Sequence, residues 1–291
     1  SLCFSQDSNT NKMKVIDGLQ RIDTIRQFFE DDSWEFSSLE DIDKRISGKT
    51  VQQIKESNPE VQSDIENFAL PVTLLRCDHS KTNHVEYVFT IFRRLNTGGL
   101  KLTNQEIRNA IFSGSFNDFI KECNNTKHWE NLLKKTTGQR NKDDRFRSIE
   151  TILKFFAFYD RLSKYKPGLS NYLNEYMKDS RVPIGDTLVK KKELFDRTVN
   201  FAVSYLFARK PVSKLNGATF EAVLHGVAKN IDELEKLVKN SRQAAITRKY
   251  KELLKKDAFS TETLSEGLYQ RQKVVERLSL AESTCSNNEK L

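Results

Sequence analysis

Two segments of this sequence hold the residue types that phosphate chemistry uses. The first is Val15-Ile16-Asp17-Gly18-Leu19-Gln20-Arg21-Ile22-Asp23-Thr24. A glycine at a strand-to-helix turn lets the backbone approach a ligand closely, and the free N–H groups of a first helical turn present partial positive charge to an anion. Arg21 adds a fork of donors matched to phosphate. The plainer alternative is that Asp17 caps the helix while Gln20 and Arg21 lie in solvent. A single Asp-Gly turn is common, and taken alone this segment favours the cap.

The second segment runs from Tyr87 to Arg108 and contains Phe92-Arg93-Arg94-Leu95-Asn96-Thr97-Gly98-Gly99-Leu100-Lys101-Leu102-Thr103-Asn104-Gln105-Glu106. Two adjacent glycines permit a tight turn with positive φ, and Asn96 can bond a ligand or its own turn backbone. By itself this reads as a link between two helices. Thr103 with Glu106 three residues on is a capping-box signature, so a helix is expected from about Asn104 to Phe112. Phe89 and Phe92 are then core residues, with Leu100, Leu102 and Ile107 packed behind the turn.

The elements that must position these segments follow from hydrophobic spacing. Lys12 to Ile16 predicts a short strand, and Leu19, Ile22, Ile25 and Phe29 mark the apolar face of a helix behind it. A polar stretch from Asp31 to Lys49 precedes helices near Val51–Ser57 and Glu60–Asn67. An extended segment, Leu70 to Cys77, follows, and then a helix over Val85 to Leu95. Beyond Thr136-Thr137-Gly138-Gln139-Arg140 every long segment has helical periodicity. One stripe is Ile149, Ile152, Leu153, Phe156 and Tyr159; a second is Leu194, Phe195, Val199, Ala202 and Leu206; a third is Phe220, Val223, Leu224 and Val227. Ile231 to Lys256 predicts one or two amphipathic helices, and Ser283 to Leu291 a frayed end. The expected fold is α+β and predominantly α: a domain with few short strands over 1–136, followed by an all-α basic domain over 137–291.

Charge supports that division. Residues 1–130 carry 16 Lys and Arg against 20 Asp and Glu, net −4, whereas 131–291 carry 32 against 20, net +12. A basic second half is compatible with a nucleic-acid partner and equally with a solvated helical surface. No apolar stretch approaches the ~20 residues that span a bilayer. The start, Ser1-Leu2-Cys3-Phe4-Ser5, has no basic and apolar leader pattern, so a cytoplasmic location is expected. The four cysteines, Cys3, Cys77, Cys123 and Cys285, stand far apart and read as reduced thiols.

Other patterns carry little chemistry. Gly48-Lys49-Thr50 resembles the end of a phosphate-binding loop, but the required first glycine is Asp43, so Lys49 is expected to be a solvated residue just before a helix. His79 and His84 near Cys77, and His128 after Cys123, match no closed zinc spacing, and no metal site is assigned. There is no Ser-His-Asp pattern and no His-rich nuclease core.

Together, the two segments resemble the N-terminal domain of GmrSD-type, modification-dependent restriction endonucleases, a domain related to the ParB/sulfiredoxin-like superfamily. Asp17-Gly18-Leu19-Gln20-Arg21 is similar to the family's Asp-Gly-Gln-Gln-Arg motif, with Leu19 in place of the first Gln. Phe92, Asn96, Gly99, Leu102 and Glu106 match the second motif, and Arg145-Phe146-Arg147-Ser148-Ile149-Glu150 resembles a third segment. The resemblance covers roughly residues 12 to 160. The upstream Gln-Arg and Trp stretch of the family is not found, which reads as a chain that starts within a ParB-like core.

The resemblance implies binding, and weak hydrolysis, of a nucleoside triphosphate, with GTP favoured and Mg²⁺ as its companion. It makes Arg21 the phosphate contact, Gln20 a group near the scissile phosphate or its water, and Asp17 a capping residue or indirect Mg²⁺ partner. Gly18 and Thr24 belong to the nucleotide-binding turn, and Asn96 closes the site. Arg140, Lys142, Arg145 and Arg147, with Lys190, Lys191 and Lys192, are the candidate DNA phosphate contacts. The function implied is a nucleotide-responsive DNA-recognition or regulatory component of restriction-like phage defence, partnered by an HNH nuclease. The alternative is a ParB-like DNA-binding or protein-interaction module without nucleotide turnover. Leu19 and the missing upstream stretch point to the alternative.

Overall fold

The short β-rich run at Met13–Asp17 needs partners, and two other extended segments supply them. β1 (Leu2–Asp7) pairs antiparallel with β2 (Met13–Asp17) across a tight turn, and parallel with β3 (Val72–Cys77), giving the order β2-β1-β3. The computed structural model describes residues 2–78, 80–95, 103–137, 145–207, 215–240 and 242–286. Two compact units divide the chain, Ser1–Lys101 and Leu102–Leu291. The boundary drawn from composition lies after residue 136; in space, the helices between 103 and 137 belong to the second unit.

The first unit carries α1 (Leu19–Glu30), α2 (Val51–Ser57), α3 (Pro59–Glu66) and α4 (Thr82–Leu95) around its sheet. The strand expected before Gly18 is present, shifted by one residue. β1 is a separate strand rather than the beginning of β2, because Asp7 to Lys12 turn the chain back with Asn11 at φ 55°. The apolar face expected for α1 is corrected. Phe28 is its buried residue, set edge-on to Phe36 and Phe29, while Leu19 and Phe29 are exposed. α2 begins on a full capping box in which Thr50 and Gln53 exchange hydrogen bonds. Lys49 therefore stands immediately before a helix, as expected.

α4 brings the second segment back toward the first. It packs on β3 and β2 with Val85, Val88, Phe89 and Phe92 buried. The chain reverses over four residues after β3, pinned where the Asp78 N–H donates to His84 Nδ1 at 3.0 Å. A 14-residue helix rises about 21 Å and a six-residue strand about 20 Å. α4 carries the start of the second segment against β2, the strand that ends at Asp17.

The second unit is all-α among the described residues: α5 (Asn104–Ile111), α6 (Ser115–Asn124), α7 (Lys127–Thr137), α8 (Arg145–Arg161), α9 (Leu169–Asp179), α10 (Thr187–Phe201), α11 (Gly217–Lys229), α12 (Ile231–Lys239), α13 (Gln243–Leu254) and α14 (Arg271–Cys285). α10 passes into a π-helical turn, Ala202–Leu206. Every residue of α11 from Ala218 to Ala228 is buried, the signature of a central helix wrapped on all sides. Its closest neighbour is α14, where Gly226 lets the backbones touch: a Cβ there would lie 2.5 Å from the Ala281 carbonyl oxygen. An aromatic core of Phe116, Phe119, Phe156, Phe195 and Trp129 joins α6, α7, α8 and α10. The frayed end expected from Ser283 is corrected in part, because α14 continues to Cys285.

Candidate functional site

At the strand-to-helix turn Gly18 is the N-cap of α1, with φ 95° and ψ 15°, a left-handed conformation that glycine adopts without strain. Asp17 does not cap. Its Oδ2 instead accepts a 2.6 Å bond from Arg21 Nη2 one helical turn on, and both side chains are solvent-accessible, 35% and 53% exposed. The turn therefore presents a guanidinium fork with one donor engaged, beside a helix whose first turn has no acidic side chain to compete for its N–H groups. The bare Cα face of Gly18 is occupied from within: a Cβ would meet Leu2 Cδ2 at 2.5 Å and the Arg21 guanidinium at 3.3 Å. What the glycine makes room for here is β1 and Arg21.

Gln20 and Thr24, one turn apart on α1, are exposed. Leu19, at the position where the resembled motif has Gln, is 66% exposed at the head of the same helix. Asp17, Gly18 and Arg21 are thus brought together, and Gln20 and Thr24 share the open flank of their helix. Asn96 lies outside the described residues, as do Gly99 and Leu102. The capping box read for Thr103 and Glu106 is formed in both directions, at 3.3 and 2.6 Å.

Of the basic candidates, Arg140 and Lys142 lie outside the described residues, and Arg145 is placed as the first residue of α8. Arg147 and Lys190 are exposed. Lys191 is corrected: it is largely buried, ion-paired with Asp160, and stacked over the Phe156 and Tyr176 rings. There it ties α10 to α8 and α9. Lys192 pairs with Asp196 one turn along its own helix. His79 is not among the described residues, His84 accepts a backbone bond, and His128 is exposed. No group of three or more metal-ligating side chains converges among the described residues. The cysteines are unpaired, and burial pushes the Cys123 and Cys285 thiols up to about 12.

A polar centre that the sequence reading missed lies inside the helical unit. Arg108, 1% exposed, donates to Asn174, Gln105, Glu150 and Ser170 at 2.9–3.2 Å. Lys154 reaches Glu150 at 3.2 Å, Glu221 at 3.1 Å and the Tyr269 hydroxyl at 2.9 Å. Burial pulls the Lys154 ammonium down, but Glu221, Tyr269 and Glu150 outweigh it and raise its pKa. The signal was present in the sequence: Lys154 between Leu153 and Phe155, and Glu221 beside Phe220, stand inside apolar stripes where a solvated charge does not belong.

Among the described residues no helix is long and apolar enough to cross a membrane. Comparison with curated proteins and with solved structures returns no match. Comparison with family models matches residues 1–113 to the family described as GmrSD restriction endonuclease, N-terminal domain. That span contains the Asp17–Arg21 turn, α4, and the Thr103–Glu106 cap. Residues 1–113 of this chain are thus similar to the N-terminal domain of GmrSD restriction endonucleases.

Proposed function

We propose that the chain is a cytoplasmic, nucleotide-responsive DNA-recognition or regulatory component of a restriction-type phage-defence system, acting with an HNH-type nuclease. The observation that carries this reading is the Arg21–Asp17 pair at the Gly18 turn, within a segment that matches the endonuclease domain. Arg21 has guanidinium donors to offer a phosphate, and the first-turn N–H groups of α1 add to them. Gln20, on the open flank, orients a phosphate oxygen or water. Asn96, which follows α4 in the sequence, is the second segment's candidate to close the site. A Mg²⁺ ion arriving with the nucleotide takes most of its ligands from phosphate and water, with Asp17 the carboxylate at hand. One Arg and one Gln make a modest complement for phosphoryl transfer, which fits slow GTP turnover. In the helical unit Arg140, Lys142, Arg145 and Arg147 supply the DNA phosphate contacts.

One observation favours a second reading, a ParB-like binding or interaction module without turnover. The space above Gly18 is filled by Leu2 and Arg21, and Arg21 is held by Asp17.

Equilibrium binding of plain and base-modified duplexes, with and without GTP–Mg²⁺, tests the function. Four phosphate contacts predict a loss of affinity of roughly 150-fold between 50 and 200 mM salt, and GTP shifts the whole curve. A flat salt response removes the DNA role, and curves unmoved by nucleotide favour the second reading.

A further inference from the structure

The buried centre of the helical unit is not balanced in charge. Arg108, Lys154 and Arg277 are cations; Glu150 and Glu221 are the carboxylates beside them. Arg108 and Lys154 have well-formed acceptors. Arg277, 2% exposed, does not: its Nε has no hydrogen-bond partner, and its Nη atoms reach only the carbonyls of Leu268 and Lys273 at 3.4–3.5 Å. Glu221 attracts it, but Oε1 of that carboxylate is already taken by Lys154 and the Tyr269 hydroxyl at 3.1 Å each. A buried guanidinium without its own counter-ion is costly, and an anion removes the cost.

The segment that roofs Arg277 has the means to open. Residues 260–270 form neither helix nor strand. Lys273 holds the segment through the carbonyls of Thr263 and Glu266, and Tyr165 holds it through the carbonyl of Tyr269 at 2.6 Å. Irregular segments held by a limited set of such bonds are the kind that open locally before helices do, and here the anchors are these bonds, the Tyr269 hydroxyl on Lys154 and Glu221, and the buried Leu264. From within the segment, Tyr269 turns its hydroxyl down onto Lys154 and Glu221.

We propose that Arg277 anchors a phosphate-binding site in the helical unit, roofed by residues 260–270, which admits a phosphate group when the roof lifts. This site is separate from the Gly18 turn and does not depend on it. Free phosphate and the phosphates of a nucleotide are the two sources of the group.

Thermal unfolding of the full chain tests the site, in inorganic phosphate against chloride at matched ionic strength. The wild type gains about 4 °C in Tm at phosphate tenfold above its Kd. Arg277→Met melts higher than the wild type without phosphate, since its orphan cation is gone, and gains nothing from phosphate. Titration calorimetry of the wild-type chain with phosphate reads the same binding if that variant does not fold. GTP added to an Arg21→Ala chain separates the sources: stabilisation there that is lost on adding Arg277→Met assigns nucleotide phosphate, and its absence assigns free phosphate. Equal responses of wild type and Arg277→Met to phosphate overturn the proposal as a general salt effect. No response, with Arg277→Met less stable than wild type, also overturns it and leaves Arg277 a latch satisfied by a buried water.

Discussion

Glu221→Gln is expected to destabilise the helical unit by about 3–5 kcal/mol, the range measured when one partner of a buried pair is removed. The substitution keeps the shape and leaves an amide oxygen for the Tyr269 hydroxyl and for Lys154. What it removes is the charge facing two buried cations, Lys154 and Arg277. Glu221 is 7% exposed, so water does little to replace it. The unfolding transition moves down by roughly 10 °C for a unit of this size. Lys154 keeps Glu150, so Arg277 is the cation left stranded; adding Arg277→Met removes it, and the double variant recovers a large part of the loss. Equilibrium urea unfolding of the four chains in this cycle measures the coupling. Additive losses would mean that Glu221 and Arg277 do not share a charge balance.

The second large effect is a loss of stability in acid that belongs to one histidine. His225, 2% exposed on α11, has no hydrogen bond on either ring nitrogen. Burial, aided by Lys229, pushes its pKa down to about 4. Glu282 on α14 lies 3.6 Å from Nε2 but is half exposed, and its attraction is too screened to reverse the effect. Because the folded value lies below the unfolded one of about 6.5, the unfolded chain takes up the proton first. The contribution of the neutral ring is complete above about pH 6.5 and is lost as pH falls toward 4, amounting to about 3 kcal/mol. His225→Leu should flatten the dependence of Tm on pH between 7 and 4 relative to the wild type. Parallel curves would show that the ring titrates at its ordinary value.

His225 sits at a tight seam between α11 and α14. Gly226 and Ala281 bring α11 and α14 into backbone contact, and Asn230 bonds the carbonyls of Gly226 and Glu282 at 2.9 Å. Such packing was not legible from hydrophobic spacing alone. The stripe of Phe220, Val223, Leu224 and Val227 marks α11 as a helix, and that expectation holds. Burial of Glu221 and His225 on the same helix reflects its central place, which depends on helices far away in the chain.

Local signals were the most readable. The capping box at Thr103 and Glu106 fixes the start of α5, because both of its bonds lie within one turn. The extended run before Cys77 forms β3, and the α+β, mainly helical fold follows from the confinement of such runs to the first half. The face of α1 was misread by one residue. Phe28 and Phe29 are chemically equal on the page, and only Phe36, from the polar stretch beyond the helix, decides which is buried. The turn itself was legible as a glycine between a strand and a helix; its left-handed conformation appears only in the structure. That Leu2 and Arg21 fill the space over Gly18 was not legible, since it depends on the pairing of β1 with β2.

The nucleotide role of that turn is tested most directly by equilibrium binding of GTP and ATP, with Mg²⁺, to the full chain and to Arg21→Ala. Arg21 is more than half exposed, and its single ion pair with Asp17 contributes little to folding, so the variant keeps its structure. The account predicts saturable binding, tighter for GTP, that falls at least tenfold in the variant while the circular dichroism and Tm stay those of the wild type. Binding of equal strength in both chains, or none in either, would contradict the assignment of the Asp17–Thr24 turn as a phosphate site.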